Sequence, residues 1–218
     1  MGYFRELPNL QYQSPYTNRI SSSTYVTAKN IFRRMKIRDD LKNIFSVFNK
    51  YEIDDGDRPD TVARDLYGKS NLDWVVLITA NIINVRDEWP LSDKEVYDYT
   101  VSKDGLTEIN EIHHYETKEI KNSRGVVVLR SGEIVGADFS VSYYDGRNIT
   151  TTPSNTVRGV TNYEYEVREN AKKRSIDILR PEYLQQFLND IRNEMTYKRS
   201  SQFVNDKLIR TENTRITN

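Results

Sequence analysis

The residues that could do chemistry are few, and their spacing restricts them further. His113 and His114 are the only two histidines, and they fall in an alternating stretch that reads as a strand, where successive side chains point to opposite faces. On that reading they cannot chelate one ion together. His114 and Glu116 do share a face, but two ligands from one strand make a weak metal signal, and a structural role is the expectation. Asp54-Asp55-Gly56-Asp57 is acidic yet lacks the alternating ligands and distant glutamate of a calcium loop. A turn with a carboxylate at a helix start fits it better. Cysteine is absent, which removes thiol nucleophiles, thiolate metal sites and disulfides together. No nucleophile elbow, phosphate-binding glycine loop or dinucleotide fingerprint occurs. Asn148-Ile149-Thr150 matches a glycosylation acceptor, but no secretion signal accompanies it. The sequence therefore predicts a protein that is not an enzyme, with no catalytic residue, no metal site and no cofactor.

Composition points toward partners instead. The 32 basic and 32 acidic side chains cancel, so no global field pulls the chain toward nucleic acid or membrane, and neither is an expected partner. Arg33-Arg34 and Lys172-Lys173-Arg174 read as solvated faces. Hydrophobic residues are only 37% of the chain, a lean supply for a private core, so apolar surface is expected to be shared with other proteins. The 15 tyrosines fit interfaces, because a phenol buries a ring while its hydroxyl stays hydrogen-bonded. The strongest apolar run, Trp74 to Ile83, is interrupted by Thr79 and Asn81 and is too short to span a bilayer. Met1 to Glu6 has no apolar signal core, so secretion is not expected.

The elements that must position these residues can be read by period and punctuation. Residues 1–24 lack any helical or alternating period and read as an N-terminal arm. Ile31, Phe32 and Met35 suggest a helix within 25–37, and Phe45 to Ile53 a strand. Pro59 and Gly68 bracket a helix over 59–67. A second helix is predicted from Asn71, carrying Trp74, Val75, Leu77, Ile78 and Ile82, to just before Trp89-Pro90. Ser92 to Glu95 forms a capping box that starts a third, ending near 103. From 104 the spacing predicts a mostly antiparallel sheet, with strands at 112–120, 126–130, 133–144, 148–152, 161–168 and 174–179, and turns at Gly125, Gly132 and Asp145-Gly146. Pro181 opens a helix to about 196 with Leu184, Phe187, Leu188, Ile191 and Met195 inward. Residues 197–218 are polar and aperiodic, and read as a C-terminal arm whose deletion would leave the melt of the body unchanged.

Tyr51-Glu52-Ile53-Asp54-Asp55-Gly56-Asp57-Arg58-Pro59, then Val62-Ala63, Leu66-Tyr67-Gly68, Trp74 and Ala80-Asn81-Ile82-Ile83-Asn84, resemble the strand, turn and two helices of a LysM module. The Ser92 capping box departs from it by starting a helix where the closing strand should lie. Arg58-Pro59-Asp60, Asp73-Trp74-Val75-Val76-Leu77, Asn81-Ile82-Ile83-Asn84 and Trp89-Pro90-Leu91-Ser92 resemble the baseplate wedge subunit that joins neighbouring wedges in T-even-like contractile-tailed phages. Ile112-His113-His114-Tyr115-Glu116, Lys172-Lys173-Arg174-Ser175-Ile176 and Leu179-Arg180-Pro181-Glu182-Tyr183-Leu184 extend that similarity from about residue 3 to 196.

The resemblance implies an α+β fold: a LysM-like module over 25–103, an antiparallel β region with a C-terminal helix over 104–196, and arms at 1–24 and 197–218. It implies a structural protein of the virion tail baseplate, assembled in the host cytoplasm, that binds other wedge proteins, including those of the adjacent wedge. Candidate partner contacts on the arms are Tyr3, Phe4, Leu7, Phe203, Leu208 and Ile209. The alternative is a cell-wall glycan binder of LysM type, with Asp57, Trp74 and Asn81 as its candidate site.

Overall fold

Proline at the first position of a helix loses no hydrogen bond there, and glycine just past the last turn can take the left-handed conformation that closes it. The helix Pro59–Tyr67 follows both rules: Gly68 has φ 70° and its N–H donates to the Arg64 carbonyl at 2.8 Å. This is a computed structural model, and it describes residues 2–13, 25–37, 47–144, 148–151 and 156–211. The expected strand start at Phe45, the Asp145-Gly146 turn, half of the N-terminal arm (1 and 14–24) and residues 212–218 lie outside the described residues.

In chain order the elements are α1 (Tyr3–Glu6), β1 (Asn9–Gln13), β2 (Tyr25–Lys29), β3 (Phe48–Glu52), α2 (Pro59–Tyr67), α3 (Asp73–Thr79) and α4 (Val85–Glu88). Next come α5 (Asp93–Asp104), β4 (Ile112–Thr117), β5 (Ile120–Lys121), β6 (Val127–Leu129), β7 (Ile134–Val135), β8 (Ser142–Tyr144), β9 (Ile149–Thr151), β10 (Val157–Thr161) and α6 (Asn162–Arg174). The chain ends with β11 (Ser175–Leu179), α7 (Leu184–Glu194), β12 (Phe203–Asn205) and β13 (Leu208–Arg210). Two compact units result: Pro90–Arg174 is one, and everything before and after it is the other. The mixed α+β class follows the sequence.

In the first unit, β11 lies antiparallel to β3, pairing Ser175 with Glu52 and Leu179 with Phe48. Strand, two helices and strand are thereby closed by a segment that follows Trp89 only after the whole second unit. Ile53, Val62, Ala63, Val75, Val76, Leu179 and Ile191 are buried among them. Two polar groups reach into this core with their partners supplied. The Tyr67 hydroxyl donates to the Leu179 carbonyl at 2.8 Å, and the Trp89 indole N–H to the Asp57 carbonyl at 2.8 Å. Burial pushes the Tyr67 phenol well up.

Three expectations for this unit are corrected. The helix from Asn71 ends at Thr79, because Asn81 takes the left-handed conformation (φ 59°) and the Ile82 N–H returns to the Leu77 carbonyl at 2.8 Å, a closure asparagine tolerates. Asn84 then caps α4, its side chain accepting from the Arg86 N–H. Residues 25–37 begin as strand β2 rather than a helix: β1 supplies the ladder, and the Asn30 side chain turns the chain by accepting from the Phe32 N–H at 3.2 Å.

The third correction concerns the segments read as arms. Their described parts join β2 in one sheet, in the order β12, β13, β1, β2, with β1 parallel to β13 and antiparallel to β2. Aperiodic polar sequence hid this because main-chain hydrogen bonds, which carry no sequence signature, supply most of the pairing. Arg33 fastens the sheet to α7, donating to the carbonyls of Glu194, Met195 and Thr196 at 3.0 to 3.3 Å, where a helix end has orphan acceptors and a negative dipole.

In the second unit, α5 opens with the predicted capping box: Ser92 N–H donates to the Glu95 carboxylate at 2.9 Å, and the Ser92 hydroxyl accepts from the Glu95 N–H at 3.4 Å. Of residues 161–168, read as a strand, Thr161 ends β10 and 162–168 belong to α6. The alternating Tyr-Glu pattern there is overruled by the Thr161 hydroxyl, which accepts from the Glu164 N–H at 3.2 Å, and by the Glu164–Arg168 pair one turn apart. The expected single sheet is instead a three-stranded one, β10-β4-β7, with separate hairpins β5-β6 and β8-β9. Asn170, buried on α6, clamps Leu91 by accepting from its N–H at 2.7 Å and donating to its carbonyl at 2.8 Å.

Candidate partner-binding surfaces

Among the predicted contact residues of the first unit, Leu7 is in the core at 2% exposure, and Tyr3 is half-buried with its ring 5.7 Å from that of Trp74. Both therefore already have a place within the chain, whereas an arm would have left them open. Phe4, edge-on to Tyr3, is 65% exposed. Phe203, Leu208 and Ile209 are half-buried, and Phe203 faces Ile209 across β12 and β13. Ile31 and Phe32, 65% and 88% exposed, sit in the turn after β2. The Tyr3 hydroxyl donates to the carbonyl of the adjacent Arg33. The first helix and this turn thus each offer large apolar side chains outward, and the sequence reading, which placed Ile31 and Phe32 in a part-buried helix, missed the second.

Of the residues considered for a glycan, Trp74 is 5% exposed and stacks on Phe187 at 6.5 Å, Asp57 gives its carbonyl to Trp89, and Asn81 is the left-handed residue closing α3. Each has a packing or backbone role in the first unit.

In the second unit, exposed β-branched and aromatic residues cluster on short strands: Val126 and Val127 at β6, Ile134 on β7, Tyr144 on β8 and Ile149 on β9. The run Val126-Val127-Val128 between turn glycines was the available signal. Too few residues flank these strands to bury both faces.

His113 and His114 do not point apart as the strand rule predicts. β4 bulges here: Val160 pairs with His114 and Thr161 with Ile112, leaving His113 as the extra residue. The two Nδ1 atoms therefore lie 2.8 Å apart, and His113 stacks on Tyr165 with ring centroids 4.1 Å apart. Among the described residues no group of three or more histidine, aspartate or glutamate side chains could hold a metal ion.

Beside them Glu116, 16% exposed, receives the Arg168 guanidinium on both oxygens at 2.7 Å, while His114 Nε2 lies 3.3 Å away. Arg168 holds the Glu116 carboxyl below the usual carboxylate range, against the smaller upward push of burial. A carboxyl with a depressed folded pKa stabilises fully above its unfolded value of about 4.3 and loses that contribution as pH falls through the folded value. Glu116→Gln should therefore cost the second unit on the order of 1 kcal/mol at pH 7, since the part-exposed Arg168 is screened by solvent. It should also flatten the loss of stability below pH 4. Urea melts at pH 7 and pH 3 check both; equal acid slopes for the two proteins would remove Glu116 from the account.

A protein of this kind has ordered units, outward apolar side chains and, among the described residues, no helix long and apolar enough to cross a membrane. A family model described as base plate wedge protein 53 matches residues 6–129, more than half of the chain. The chain belongs to the base plate wedge protein 53 family. No curated protein matches it significantly. The match begins in α1, takes in β1, β2 and the helices α2 to α5, and ends in β6. Membership makes the chain a structural protein of the phage tail baseplate that assembles with other baseplate proteins, as the sequence resemblance implied. The virion tail is thus its place of work.

Proposed function

We propose that the chain binds other wedge proteins, including those of the neighbouring wedge, and so helps close the ring of wedges during assembly in the host cytoplasm. Membership of the base plate wedge family carries this reading. It is supported by the apolar side chains that both units present outward, Phe4 and Phe32 on one, Ile134 and Ile149 on the other, which are the kind of groups that anchor interfaces. On this reading β3, α2, α3 and β11 form a LysM-like body used for docking to protein. Phe4 and the half-buried Phe203, Leu208 and Ile209 of the terminal sheet make part of the contact. Because those segments are already paired in strands, binding them requires less ordering than free arms would, which leaves more of the contact energy as affinity.

Co-expression with the other wedge proteins of the same phage tests it. The chain should elute with them, and Phe4→Ala/Phe32→Ala should elute apart while keeping its melt. A chain that stays separate while the other proteins assemble normally would end the proposal.

A further inference from the structure

The zero net charge of the chain conceals a strong local excess. In the described stretches 2–13, 25–37 and 184–211, which hold α1, the terminal sheet and α7, ten lysines and arginines stand against four acids. Four of the cations, Arg5, Lys29, Arg192 and Lys207, line one cavity of about 230 Å³ bounded by α1, β1, the end of β2, α7 and the β12–β13 turn. A cluster of like charge opposes folding unless something answers it. One internal answer exists: Glu6, whose side chain is 7% exposed, accepts from Arg192 Nε at 2.9 Å. Lys29 Nζ donates to the Leu7 carbonyl at 2.8 Å, which uses one of its three N–H groups. Among the described residues, the Arg5 and Lys207 side chains have no partner. Buried Leu7 and Met195 form an apolar part of the cavity's lining, and Arg5, Lys29 and Lys207 stand exposed around it, where an incoming group can reach them.

We propose that this cavity is a carboxylate-binding site that takes a glutamate or aspartate side chain from a neighbouring baseplate protein, an inference that rests on the partner-binding reading above. Four cations against the single carboxylate of Glu6, with room for several waters' volume at about 30 Å³ each, leave space and charge for a second carboxylate beside it. Arg5 and Lys207 supply the two unpaired cations of the lining, and Lys29 contributes its remaining donors. The site is built by both ends of the chain at once, so it exists only when the terminal sheet is formed.

The test uses the full chain and a fluorescein-labelled octaglutamate peptide, read by fluorescence anisotropy. Saturable binding should appear at low salt and weaken as the Debye length falls from about 30 Å at 0.01 M to about 8 Å at 0.15 M. Arg5→Glu/Lys207→Glu should weaken it at least ten-fold. Lys94→Glu/Arg124→Glu, which makes the same change in net charge on the second unit, should leave it within two-fold. If the charge reversal lowers the melt, Arg5→Gln/Lys207→Gln takes its place. No saturable binding, or equal losses in the two double variants, overturns the site. Tighter binding of an octathymidylate than of the peptide, or its displacement by inorganic phosphate at the same concentration as acetate that does not displace it, overturns the carboxylate in favour of a phosphate. A chain that co-elutes with wedge proteins yet ignores the peptide loses only this pocket, whereas a chain that binds the peptide but never joins wedges loses only the proposed function.

Discussion

Trp74→Ala should lower the stability of the first unit by about 3–5 kcal/mol, the usual cost of removing a large buried aromatic and leaving a cavity. The ring is 5% exposed and is held between Tyr3, with centroids 5.7 Å apart, and Phe187, at 6.5 Å. It therefore joins three pieces of chain far apart in sequence: α1, α3 and α7. A domain has only about 5–15 kcal/mol in total, so a large part of its margin goes, and the first unit's melt should fall by roughly 10 °C at about 2–4 °C per kcal/mol. Differential scanning calorimetry is the measurement, with Trp74→Phe as a control that keeps most of the ring volume. Phe4 should become more accessible to limited proteolysis as Tyr3 loses its support. An alanine variant that melts with wild type would mean that the Tyr3–Trp74–Phe187 stack carries no weight.

Removing residues 197–218 should also destabilise the first unit, by on the order of 3 kcal/mol for the few ladder hydrogen bonds lost at about 1 kcal/mol each. The deletion takes β12 and β13, and with them the Lys207 carbonyl that accepts from the Asn9 N–H at 2.8 Å and the Thr211 N–H that donates to Gln11 at 2.9 Å. It also removes the Tyr197 hydroxyl that accepts from Asn30 and the ring beneath Arg33, 5.1 Å from its guanidinium. β1 and β2 would be left as an isolated pair, which is marginal in water. Hydrogen exchange should show the β1 amides losing protection, most at Asn9, while α5 and α6 in the second unit keep theirs. An unchanged melt and unchanged β1 exchange is the result that a free arm would give, and it would count against the parallel β1–β13 pairing.

Both predictions share a cause. The chain's apolar content is lean, and the first unit compensates by folding its own ends back onto its core: Leu7 is buried, Glu6 pairs with Arg192, and Arg33 caps α7. A building block made in this way presents a finished surface to its partners. On the proposed function, affinity would depend on what protrudes from the two units, such as Phe4, Phe32 and Ile134, rather than on capturing loose segments.

Local chemistry made several elements legible in advance. Pro59, Gly68 and the Ser92–Glu95 capping box set the ends of α2 and the start of α5, because each satisfies or spares main-chain groups within a few residues of itself. The 3.6-residue apolar spacing gave the inward face of α7, and the ordered short motifs gave the family, since such motifs are a property of the chain before it folds. What the sequence could not determine were pairings made across long separations. β11 closing on β3, β13 lying beside β1, and Arg33 reaching α7 depend on main-chain groups that look alike in every residue. The bulge that turns His113 toward His114, and the helix that replaced the alternating 161–168 stretch, were likewise decided by neighbours supplied by the fold. Period and capping act through bonds a turn away, so sequence reveals them; register and burial act through contacts a hundred residues away, and only the tertiary structure selects among them.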